Sequence, residues 1–202
     1  MIRGLLISGL LTATLWGQAV HFTKEYLVFT LCDSSLTFSG EYVFENPGRG
    51  VEPKRLLYPF SVSPDTPLPH RVKVSESASG ESIPYTWVRN GISFLIEALP
   101  GESTRIHIRY WQAAPKRKNT YILTSTTSWG RGLDHATYEI RVPNHLELLN
   151  CSLAIDSVAV TDSMRTYLIT RSDFLPEKEL EINWGIHHEQ SDPHQHPSGP
   201  GH

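Results

Sequence analysis

The sequence predicts an all-β fold, a two-layer antiparallel β-sandwich, on three observations. Apolar and polar residues alternate with period two along most of the chain, the mark of strands with one buried and one solvated face. No stretch beyond the N-terminus shows the 3.6-residue period of an amphipathic helix. Turn chemistry recurs between the alternating runs, and 14 Gly with 14 Pro suit short strands better than long helices. A chain of 202 residues, 39% hydrophobic, has the material for one core and is not disordered throughout.

The chain opens with MIRGLLISGLLTATLWGQAV. Arg3 supplies a positive charge, Gly4 to Trp16 form an uncharged apolar run, and Gly17 and Ala19 put small residues at the cleavage positions. Residues 1–19 read as a secretory signal peptide, which makes the protein secreted or periplasmic. The alternative is an uncleaved N-terminal anchor, although the run is shorter than the roughly 20 residues of a spanning helix. A lipoprotein signal is excluded, because Lys24 and Glu25 interrupt the apolar run before Cys32 and Leu31 stands where a small residue is required. No later segment is apolar enough to span a membrane.

The sandwich domain is placed at 20–184. Its expected strands are 25–31, 35–45, 55–62, 70–76, 83–88, 91–97, 104–111, 120–127, 137–142, 151–156, 165–171 and 179–184, of which nine to eleven should be real. The pattern is clearest where Leu36, Phe38, Tyr42 and Phe44 oppose Thr37, Ser39 and Glu41, and where Ile106, Ile108 and Tyr110 alternate with Arg105, His107 and Arg109. Tyr138, Ile140 and Val142 repeat it, as do Leu180, Ile182 and Trp184. Asn46-Pro47-Gly48 ends one strand, and Arg89-Asn90-Gly91 predicts a tight hairpin because Asn-Gly tolerates positive φ. Ala114 to Asn119, which contains Lys116-Arg117-Lys118, reads as a polar hairpin tip that discourages edge pairing. From Gly185 apolar residues nearly vanish, and 185–202 reads as a disordered His-rich tail.

Candidate chemistry is sparse. A net charge of −3 gives no electrostatic footprint for nucleic acid. Phosphate-cradling Gly-rich loops, His-Glu-x-x-His and Cys-x-x-Cys are absent. The tail carries His187, His188, His194, His196 and His202, borderline ligands that could wrap Zn²⁺, Ni²⁺ or Cu²⁺ on a flexible chain. Cys32 and Cys151 remain after signal removal, and an oxidising compartment favours a disulfide between them. The loop Trp129-Gly130-Arg131-Gly132-Leu133-Asp134-His135 resembles a site, with His135 as base and Asp134 as its orienting group, but it lacks a nucleophile. It reads instead as a corner of the sandwich with Trp129 as a plug. Tyr85, Trp87, Tyr110, Trp111 and Trp129 are candidate platforms for carbohydrate if exposed.

The order of GEYVFENP at 40–47, LLYPFSV at 56–62, ALPGESTRIHIRYWQ at 98–112 and TYILTSTTSWGRGLDHATYEIRVP at 120–143 resembles uncharacterised exported bacterial proteins with an immunoglobulin-like β-sandwich. The resemblance implies a fold and an exported location and brings no catalytic residues. The expected function is an exported, non-catalytic module with a protein partner at the cell envelope. A metal-binding role through the tail is the alternative, and a glycan-binding or polysaccharide-active role stands third.

Overall fold

The computed structural model describes residues 20–187. In that span the chain forms β1 (His21–Leu31), β2 (Ser35–Glu45), β3 (Glu52–Pro59), β4 (His70–Glu76), β5 (Tyr85–Val88), β6 (Gly91–Ala98) and β7 (Ser103–Ala113). There follow β8 (Lys118–Tyr121), a 3-10 helix (Thr124–Trp129), β9 (Leu133–Pro143), β10 (Leu146–Cys151), β11 (Ser157–Val160), β12 (Met164–Phe174) and β13 (Leu180–Ile186). Seven strands form one sheet in the order β11-β12-β9-β1-β2-β7-β4. Two three-stranded sheets, β3-β6-β5 and β10-β13-β8, make the second layer.

Alternation decides which face goes inside. Leu27 and Phe29 of β1, Leu36 and Phe38 of β2, Ile106 and Ile108 of β7, and Tyr138 and Ile140 of β9 are all buried. Their neighbours, such as Tyr26, Glu41 and Arg105, lie on the opposite, solvated face. The small sheets contribute Leu56, Tyr58, Ile92 and Phe94 from one side and Tyr121, Ile182 and Trp184 from the other to the same core. The chain is thus a two-layer β-sandwich with its second layer split. Aromatic packing marks the middle: Phe38 stacks on Tyr110 at 4.5 Å and on Tyr121 at 5.2 Å between ring centroids.

Several sequence expectations need correction. The pairing is not antiparallel throughout, because β1 and β9 run parallel. That pairing requires a long connection, which here passes through the second layer. The strand expected over 120–127 ends at Tyr121 and gives way to the 3-10 helix. The Thr127 and Ser128 hydroxyls donate to the carbonyls of Thr124 and Ser125, both at 2.7 Å. These local bonds compete with a β ladder. The strand expected at 151–156 lies earlier as β10, and β11 was not anticipated. The segment 114–117 is not a hairpin tip, because β7 and β8 belong to different layers and are not paired. Arg117 Nε instead donates to the Asp33 carbonyl at 2.8 Å.

The expected disulfide is also absent: Cys32 and Cys151 are free thiols. Cys32 is exposed in the turn between β1 and β2, while Cys151 ends β10 in the other layer, half-buried opposite Ile182. The tie between layers near Cys32 is made by Trp184, whose Nε1 donates to the Cys32 carbonyl at 2.8 Å. The hairpin at Arg89-Asn90 forms, with Val88 opposite Gly91, but neither Asn90 nor Gly91 takes the positive φ expected of an Asn-Gly turn. Glycine is required at 91 because any Cβ there would collide with the Tyr58 carbonyl oxygen across β3. β13 continues to Ile186, two residues into the expected tail.

Candidate functional site

A concavity lies where the split second layer leaves a gap, between β3 and the 3-10 helix. Its floor begins in β1. A register shift between Phe22 and Lys24 lets Phe22 and Glu25 both face inward although three positions apart. Glu25 is only 4% exposed. Tyr138 on β9 donates its hydroxyl to Glu25 Oε1 at 2.5 Å. Burial pushes the Glu25 carboxyl up to about 7, and the Tyr138 hydrogen bond only partly opposes this.

Three more hydroxyls converge beside it. Tyr42 of β2 lies 2.7 Å from Tyr121 and 2.9 Å from Tyr58, oxygen to oxygen. The Tyr58 hydroxyl donates to Tyr121 at 3.3 Å. Burial holds all three phenols well above their usual range, so they stay protonated. This cluster joins the large sheet to both small sheets at their point of separation. Above it, Phe22, Phe44 and Trp129 form an aromatic wall, with the Trp129 ring 5.9 Å from Phe22 and 5.5 Å from Phe44.

These residues enclose a cavity of roughly 60 Å³ with Glu25, Tyr42, Tyr58 and Tyr121 in its lining. Leu56, Leu57, Pro59, Ser125 and Trp129 line both this cavity and an outer groove of roughly 410 Å³. Lys54 and Arg55 stand at the groove, and Lys54 Nζ sits 5.5 Å from the Trp129 ring centroid. Glu179, from the loop before β13, holds the helix wall in place. Its carboxylate accepts from the Leu123 and Thr124 amides and the Thr124 hydroxyl at 2.5, 3.1 and 2.5 Å.

Ser125 lies at the cleft with Ser128, and the Ser128 hydroxyl is engaged with a backbone carbonyl of its own helix. No imidazole lines the cavity or the groove. Trp129 is half-buried, less than the plug expected from sequence. Trp129→Ala should therefore cost about 2 kcal/mol in urea denaturation, below the full-burial range.

Other sequence candidates are dispersed. Asp134 pairs with Arg131, while the His135 ring faces the Thr137 hydroxyl at 3.2 Å, so the two side chains do not form an acid–base pair. Tyr110 is core, whereas Trp111 is on the opposite face beside His70, with ring centroids 6.0 Å apart. Trp87 is exposed on β5, away from Trp129 and Trp111, so the aromatics make no single strip. His187 is exposed, with Nδ1 3.6 Å from Glu147 Oε2. His188, His194, His196 and His202 lie outside the described residues. Among the described residues, no group of three His, Cys, Asp or Glu stands ready for a metal ion, and no helix is long and apolar enough to cross a membrane.

Sequence reasoning missed two arrangements. One is Glu25, whose signal was a carboxylate at an inward position of a strand that continues with Leu27 and Phe29. The other is Ser39, whose Oγ lies 2.7 Å from His107 Nε2 on the solvated face of the large sheet. No carboxylate bonds the His107 ring among the described residues, and the pair sits on an open surface rather than in a cleft.

No family model matches the chain, and no curated protein matches it by sequence. Its fold is similar to that of a candidate nutrient-binding protein from Legionella pneumophila, with TM-score 0.65 and 12% identity over 82% of this chain and 66% of that one. It is also similar to part of an M1 zinc metallopeptidase from Deinococcus radiodurans, with TM-score 0.51 and 12% identity over 83% of this chain and 43% of that one. The chain therefore spans less than two thirds of the length of either protein. At these identities the likeness establishes the fold alone.

Proposed function

We propose that the protein is an exported, non-catalytic binding module at the cell envelope, and that its contact surface is the cleft between β3 and the 3-10 helix. The observation that supports this reading is the pairing of an enclosed aromatic cavity with an open groove, lined by protonated tyrosines and a shielded carboxyl and lacking a nucleophile–base pair. The Legionella protein of similar fold is described as nutrient-binding, which agrees with a binding role. The similarity to part of the peptidase lends no catalytic group, since this sequence has no His-Glu-x-x-His segment.

Leu57 offers a clean test. It is 66% exposed at the shared rim of cavity and groove, so a charge there leaves the core intact. The native protein, immobilised and exposed to envelope extract, should retain a partner that Leu57→Arg loses. Equal retention by both proteins would remove the cleft from consideration.

A further inference from the structure

We infer that the cleft binds a small zwitterion of the ω-amino acid type, with its ammonium group on Glu25 and its anionic end at Lys54 and Arg55. This rests on the reading of the cleft as a binding site. A buried carboxyl that lines a cavity is costly to keep unless something uses it. Tyr138 occupies one oxygen of Glu25, and no cation offsets its charge among the described residues. An ammonium group supplies that missing countercharge. It also meets the faces and hydroxyls of Tyr42, Tyr58 and Tyr121, which can accept its remaining hydrogens or attract it as a cation.

Size and charge set the rest of the ligand. The inner cavity, roughly 60 Å³, is narrow and admits an aminomethyl head more readily than a bulkier trimethylammonium group. A longer stem leaves past Leu56 and Trp129, which line both the cavity and the outer groove. There the nearest formal charges are both positive, on Lys54 and Arg55. A ligand positive at its inner end and negative at its outer end matches this order, while a simple amine matches only half of it.

The test titrates the protein with 6-aminohexanoate, hexylamine and hexanoate, following tryptophan fluorescence and calorimetric heat. 6-Aminohexanoate should bind the native protein, Glu25→Gln should weaken it at least about tenfold, and Lys54→Ala should weaken it about threefold. Hexanoate should bind no better to the native protein than to Glu25→Gln. Equal affinity of 6-aminohexanoate for native protein and Glu25→Gln would overturn the inference, as would no binding to the native protein. If the native protein ignores 6-aminohexanoate while Leu57→Arg still loses its envelope partner, only the ligand class falls. If Leu57→Arg also retains everything the native protein does, the cleft reading falls with it.

Discussion

Glu25→Gln should make the protein more stable by about 3 kcal/mol at pH 8, and by no more than about 1 kcal/mol at pH 5. The sign follows from which state binds the proton. Burial holds the folded carboxyl up to about 7 against an ordinary value of 4.5. Between those values the native state keeps a proton that the unfolded state has released, so native stability falls as pH rises through the window. The stability is fully present below the ordinary value and fully lost above about 7. Glutamine cannot ionise, yet its amide oxygen still accepts the Tyr138 hydroxyl. Urea denaturation of both proteins at pH 5, 7 and 8 measures the difference directly, and other titrating groups cancel between them. A constant gap across the three pH values would show that Glu25 does not titrate in this window.

Glu179→Ala should lower stability by about 2 to 3 kcal/mol and loosen the cleft at the same time. The Glu179 carboxylate is the acceptor for two amides and one hydroxyl where the chain turns from β8 into the 3-10 helix. The helix has no side-chain cap of its own at Leu123, so nothing local replaces that acceptor. Its last residue, Trp129, would lose its fixed approach to Phe22 and Phe44. The expected signature is therefore double: a lower urea midpoint, and a red-shifted Trp129 emission below that midpoint. Amide exchange at Leu123 and Thr124 should also accelerate. Unchanged exchange at both amides would mean that the helix is held by its packing and not by Glu179.

These two residues show where sequence reasoning stopped. Strands β2 and β4 match their expected limits, because Leu36, Phe38, Tyr42 and Phe44 obey the two-residue period and a turn follows at Asn46. The Arg89-Asn90 hairpin was legible for the same reason: its chemistry is local. Glu25 was not legible as a site, since on paper it is a charge beside Lys24 at the edge of an apolar run. Alternation with Leu27 and Phe29 turns it inward, and the register shift at Phe22/Lys24 brings Phe22 to the same face. Likewise Ser125 to Ser128 have the composition of a strand, yet their hydroxyls bond within a helical turn whose start at Thr124 is held by a carboxylate 55 positions further along the chain.

The sequence by itself determined the class of fold and its buried faces, because alternation and turn residues act over a few positions and need no distant partner. The tertiary structure alone decided the state of Cys32 and Cys151, the parallel pairing of β1 with β9 and the division of the second layer. It alone brought Glu25, Tyr42, Tyr58, Tyr121 and Trp129 around one cavity. Each of these depends on contacts between segments far apart in the chain, whose meeting is set by packing of the whole core and not by any local pattern.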